Sequence, residues 1–146
     1  MITVFISKYC REFTKLREFF GHYNMEFEVV PLQATDQCLT LPDYRDLVRG
    51  LGKSEGVEDF QLLVSQKRRA RLAPKMCKMT PEEQVAFFNE NITALRGAIT
   101  YDSERDITFL GFNEEELRTL LPRDVKKRTT ESILQHARQL EQEVMI

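Results

Sequence analysis

The sequence predicts an α/β fold: a strand–helix–strand opening, a helical insertion, then a β-hairpin and a helix, with a helical tail beyond. Three observations carry this expectation. The first twenty residues pass from the β-branched run Ile2–Ile6, through Ser7-Lys8-Tyr9 and Cys10, into a helical pattern of Phe13, Leu16, Phe19 and Phe20 separated by Arg11, Glu12, Lys15 and Arg17. A second strand-like run follows at residues 25–32, and strand and helix spacing of this kind makes a right-handed parallel unit. Strand patterns then return only late, at residues 98–101 and 107–110, after several helical segments.

Taken in order, Pro31 should close the second strand or lie on a sheet edge, because proline cannot donate to a ladder. Thr40-Leu41-Pro42-Asp43 reads as a helix start with Thr40 as cap, followed by the apolar face Tyr44, Leu47, Val48 and Leu51, with Gly52 as a stop and residues 53–56 as a turn. Residues 57–72 read as one helix ending in the basic run Lys67-Arg68-Arg69-Ala70-Arg71, broken by Pro74. Thr80-Pro81-Glu82-Glu83 combines a threonine cap, a first-turn proline and a glutamate at the third position, ahead of Val85, Phe88 and Ile92. The runs at 98–101 and 107–110, joined through residues 102–106, form a hairpin. Asn113-Glu114-Glu115-Glu116 opens a short helix with Leu117, Leu120 and Leu121, which Pro122 stops. In residues 128–146, Ile133, Ala137, Leu140 and Val144 form a narrow stripe, predicting a peripheral or self-associating helix. The domain expectation is therefore residues 1–125, with an insertion at about 40–95, and a tail at 126–146. The strand–turn–Cys–helix opening, the insertion and the returning hairpin make this a thioredoxin-like layout.

Composition removes several functional classes. A net charge of −2 gives no general attraction to nucleic acid or anionic membranes. No apolar run approaches the ~20 residues of a membrane span, and the first residues lack a signal-peptide pattern. Cys10, Cys38 and Cys77 are odd in number and irregularly spaced, which argues against a disulfide scaffold or a zinc site and fits a reducing cytoplasm. His22 and His136 have no acidic or cysteine partners at ligand spacing. No cofactor is expected.

Cys10 lies at a helix N-terminus, where unpaired N–H groups and the helix dipole favour a thiolate. It is the redox candidate. A redox dithiol would place a second cysteine at position 13, which is Phe13. Two readings stay open: a thiolate oxidised or joined to a small thiol, or an inert small residue at a helix start.

Ile2 to Phe20 with Cys10, the insertion, Arg96-Gly97-Ala98-Ile99, and above all the run GFNEEELRTLLPR at residues 111–123 resemble the Spx branch of the arsenate reductase (ArsC-like) family over about residues 1–125. That resemblance implies a cytoplasmic, non-catalytic transcriptional regulator that binds the C-terminal domain of the RNA polymerase α subunit. Promoter DNA would be reached only indirectly, through polymerase, and a proteolytic adaptor would be a further partner. It also implies an interface at Gly56 and Arg49; Arg45 and Arg49 share the helix face opposite Tyr44, Leu47, Val48 and Leu51, which is expected to be a basic patch free for a partner. Lys67, Arg68 and Arg96 become anion or partner contacts, against the plainer reading of Lys67 and Arg68 as a solvated helix end. The chain departs from the family pattern at Phe13 and at Gly97-Ala98, where a second arginine and a proline are usual; with alanine at 98 a trans peptide is expected. The alternative, from the other branch, is a single-cysteine arsenate reductase-like oxidoreductase using glutathione or glutaredoxin. A third is a paralogue that occupies the α-subunit surface without supporting activation.

Overall fold

The computed structural model describes residues 1–32 and 37–121. Two compact units divide the chain, one spanning Met1–Asn113 and the second beginning at Glu114. In the first, β1 (Ile2–Ile6) and β2 (Phe27–Pro31) flank α1 (Arg11–His22), and β3 (Ala98–Asp102) and β4 (Ile107–Leu110) form the hairpin. The sheet order is β2-β1-β3-β4, with β1 parallel to β2 and antiparallel to β3. This is the thioredoxin-like arrangement. Pro31 ends β2 on the sheet edge, where its missing N–H costs no ladder bond.

Strand alternation divides the sheet into two faces. Ile2, Val4 and Ile6 lie level with Phe27, Thr100 and Phe109, on the face where Phe20 of α1 packs against Phe27 at 5.0 Å between ring centres. Phe5, Ile99 and Tyr101 join the opposite cluster, with Leu47 and Leu51, Leu63 and Val64, Met76 and Phe88. That cluster is the sheet's contact with the insertion, which comprises α2 (Leu41–Ser54), α3 (Gln66–Met76) and α4 (Pro81–Glu90).

The predicted caps form. Thr40 Oγ1 accepts from the Asp43 amide at 3.2 Å, and Thr80 and Glu83 make a reciprocal capping box. Between residues 41 and 76 three boundaries differ from the sequence reading. Helix α2 continues past Gly52 to Ser54, and the residue that ends it is Gly56, at φ +80 just beyond the Glu55 cap. Residues 57–72 are not one helix. Asp59 accepts from the Gln61 amide to cap a 3₁₀ turn at Phe60–Leu63, Val64 makes a β-bridge to Leu95, and α3 starts after Ser65. Finally, α3 runs through Pro74. The proline leaves only the Ala70 carbonyl without its helical donor, and Ala70 is exposed to water, while Met76, two residues past the proline, is fully buried.

Ile92 belongs to a separate 3₁₀ turn, Ile92–Ala94. The Gly97–Ala98 peptide is trans, as expected. In the second unit, α5 (Glu114–Leu117) and a 3₁₀ turn at Arg118–Leu120 are described. Pro122 and the expected tail helix lie outside the described residues. No helix among the described residues is long and apolar enough to cross a membrane.

Candidate functional site

Two surfaces of the first unit collect the candidate residues. The first is built around the thiol. Just after β1, buried Ser7 ties the chain to the segment that leads into β3: its Oγ donates to the carbonyls of Leu95 (3.3 Å) and Arg96 (3.1 Å), and its amide donates to Gly97 O (3.1 Å). Cys10 is the N-cap of α1 in extended backbone, with its carbonyl taking the Thr14 amide at 3.2 Å. From the insertion, the Ser65 amide donates to Ala94 O (2.7 Å) and the Arg96 amide to Leu63 O (2.9 Å), so α3 begins at the same place. Arg69 braces that segment by donating to the Val64 carbonyl at 3.2 Å.

The result is a cavity of about 300 Å³ lined by Lys8, Cys10, Arg11, Glu12, Ser65, Gln66, Lys67, Arg96 and Gly97. Two helix N-termini open onto it, and four cations face one carboxylate. Unpaired first-turn amides and positive side chains suit a small anion. Gly97 leaves room for the sulfur, since a Cβ there would lie 3.1 Å from Cys10 Sγ and 3.4 Å from Lys8 Cε. Chemically, this cavity can hold an anion beside a sulfur nucleophile.

Of the basic residues singled out from sequence, Lys67 and Arg96 meet at Cys10. Arg68 does not line the cavity, and its Nη1 donates instead to Thr93 Oγ1. Lys8, Arg11 and Glu12 were missed, although their adjacency to Cys10 was a usable signal. Gly97 was noted only as a departure from the family pattern, and its packing against the sulfur is a long-range contact.

Phe13, in the place of a second thiol, is buried, with Tyr9 edge-on to its ring at 5.8 Å and the Arg17 guanidinium 5.7 Å from its centre. All three cysteines are free, and Cys38 and Cys77 are exposed. Diamide treatment is therefore expected to give no intramolecular disulfide at Cys10. Thiol counting with peptide mapping checks this, and a rapidly formed bridge from Cys10 to Cys38 or Cys77 would refute it.

The second surface is the outer face of α2. Arg49 pairs with Asp106 through Nε (2.6 Å) and Nη2 (2.9 Å), and Nη2 also donates to Asp46 Oδ1 at 2.7 Å. Arg45 lies 3.5 Å from Glu82. The sequence reading left both arginines free in a basic patch. The structure corrects that: each is ion-paired, and the surface is of mixed charge. The Arg49 guanidinium, and after it the Tyr101 hydroxyl, hold the Asp106 carboxyl down at about 2. Burial, and then the bond to Asp106, push the Tyr101 hydroxyl up to about 12. Both groups therefore keep one ionisation state across the physiological range.

Beside these arginines runs a groove of about 360 Å³, lined by Tyr44, Val48, Glu58, Phe60, Pro81 and Gln84 as well as Arg45 and Arg49. Val57 stands 53% exposed next to it in sequence. At Gly56 a Cβ would meet nothing within 4 Å, so the turn is open to an approaching chain. Among the described residues no group of three or more His, Cys, Asp or Glu is placed to hold a metal ion.

No family model matches the sequence. Curated relatives do. The global transcriptional regulator Spx of Streptococcus agalactiae serotype V is 30% identical over 129 residues, covering 87% of this chain and 88% of the relative. The protein of the same name from Streptococcus mutans serotype c matches with the same identity and coverage. Among solved structures, a Staphylococcus aureus COL protein determined by solution NMR gives a TM-score of 0.59 at 18% identity, over 82% of this chain and 97% of that one. A Bacteroides fragilis protein described as ArsC family related gives 0.59 at 18%, over 82% and 96%. At these identities the structural matches speak for the fold.

Proposed function

This chain belongs to the Spx family, and from that premise we propose that it regulates transcription by binding the C-terminal domain of the RNA polymerase α subunit, without catalysis and without a dithiol switch. The observation that carries the reading is the extent of the match to proteins named as global transcriptional regulators, which runs over most of both chains rather than over one motif. The outer face of α2, its groove and the open turn at Gly56 are the docking surface. Arg45 and Arg49 supply directional donors there, which fix register more than they add affinity. Promoter DNA is reached through polymerase, the site of action is the cytoplasm, and a proteolytic adaptor is the other partner class that family membership brings. With Phe13 filling the place of a resolving thiol, binding should be largely insensitive to mild peroxide. Calorimetry with purified α C-terminal domain tests the reading, and an absence of binding by the wild type would remove it.

A second reading is favoured by one observation, the cationic cavity that holds Cys10. An arsenate reductase-like oxidoreductase would attack a bound oxyanion with that sulfur and be regenerated by glutathione or glutaredoxin. On the regulator reading, arsenate turnover in their presence stays at background. Turnover that disappears in Cys10→Ser would make the enzyme the better account.

A further inference from the structure

The proposed docking face carries an arginine whose orientation is set from another part of the fold. The Arg49 side chain is 52% exposed, and an exposed arginine ordinarily samples many rotamers. Here its Nε and Nη2 both bond to Asp106, Nη2 also reaches Asp46 and lies 3.4 Å from Tyr101 Oη, and the Tyr101 hydroxyl donates to Asp106 Oδ1. Nη1 makes no hydrogen bond among the described residues. A guanidinium held along one edge by a carboxylate is planar and directional, so its remaining donors are presented in one orientation.

The holder is itself held. Asp106 sits in the β3–β4 turn at φ +52, a conformation that aspartate and asparagine adopt more readily than most residues. Lys53 Nζ donates to the neighbouring Arg105 carbonyl, which ties α2 to the same turn. Asp102 Oδ1 accepts from the Glu104 amide at 3.0 Å and its Oδ2 pairs with Arg105 at 2.7 Å, which closes the turn from within.

We infer that Asp106, backed by Tyr101, is a positioning residue of the docking surface: it preorients Arg49 so that Nη1 meets a carboxylate or carbonyl acceptor on the α C-terminal domain. The inference rests on the docking reading given above. Its sign separates it from two simpler roles. If Asp106 merely occupied Arg49, or merely added negative charge opposite an acidic acceptor, removing its charge would strengthen binding. If it preorients Arg49, removal weakens binding, because an unrestrained side chain must then be ordered on association, at a loss of roughly three- to tenfold in affinity.

The experiment is calorimetry with purified α C-terminal domain on the wild type, Asp106→Asn, Arg49→Ala and the double variant. A second readout is hydrogen exchange of the Arg49 Nε–H by nitrogen-15 NMR. Asparagine suits the positive φ, so the turn is retained. Expected are weaker binding by Asp106→Asn, a double variant no weaker than Arg49→Ala alone, and an Nε–H that exchanges slowly in the wild type and fast in Asp106→Asn. Equal or tighter binding by Asp106→Asn, or losses that add in the double variant, would overturn the positioning role while leaving the docking reading in place. Absence of wild-type binding despite a protected Nε–H would overturn the docking reading, and the positioning role with it.

Discussion

Gly50→Ala is expected to destabilise the protein by about 2 kcal/mol, lowering the thermal midpoint by roughly 4–8 °C. Gly50 is buried where α2 crosses β4. A Cβ there would lie 2.2 Å from Thr108 Oγ1, 2.8 Å from the Thr108 amide nitrogen and 3.1 Å from the Ile107 carbonyl carbon. Two of these are backbone atoms of a hydrogen-bonded strand and cannot step aside cheaply. Thr108 Oγ1 also donates to the Leu47 carbonyl at 2.8 Å, a buried bond the displaced helix would lose, at a net cost of about 1 kcal/mol. Against this stands the gain of up to ~1 kcal/mol that alanine brings to a helix interior. Packing wins.

Gly52→Ala on the same helix isolates the packing effect. Its Cβ would meet Glu58 Cγ at 3.1 Å, part of a flexible, exposed side chain that can swing away. That variant should be neutral or more stable by up to ~1 kcal/mol. Urea and thermal unfolding of the pair check the claim, and equal effects from the two substitutions would show that α2 does not rest on β4 through Gly50.

These glycines also show how much the sequence could disclose. What depends on neighbouring residues was legible: the β-branched run into Cys10 and α1, the threonine caps at 40 and 80, and the 98–110 hairpin. Gly52 read as a stop because glycine commonly ends helices, but Leu51 is fully buried and the helix continues until Gly56 supplies the left-handed cap. Pro74 read as a breaker because the intrinsic penalty is large, whereas burial of Ala73 and Met76 carries α3 through it. The restart at Ser65 had its own signals in Asp59 and Ser65, both residue types common at helix starts, although only the Asp59 side chain makes a capping bond; the apolar spacing of Phe60, Leu63 and Val64 hid them. The candidate sites were legible in part. Cys10, Lys67 and Arg96 could be named singly, but their meeting depends on the Val64–Leu95 bridge. Likewise Arg49 could be placed on the outer face of α2, but its bond to Asp106, 57 positions away, has no local trace.

Gly56→Arg is expected to abolish binding to the α C-terminal domain while the fold persists. The turn at Gly56 is exposed, and nothing lies within 4 Å of the position a Cβ would take, so a long side chain would fill the open space that the proposed docking gives to a partner backbone. The substitution carries a second effect that must be separated from the first. At φ +80 any L-residue is strained by roughly 1–2 kcal/mol, because its Cβ crowds the following carbonyl. Gly56→Ala carries the same strain with almost no bulk and is the control: it should lower the thermal midpoint as much as Gly56→Arg does, yet keep most of the wild-type affinity. Calorimetry on the folded variants, with their unfolding midpoints measured alongside, separates the two. If Gly56→Arg binds like the wild type, the docking surface does not include this turn. If alanine and arginine weaken binding equally, turn geometry rather than open space is what the partner reads.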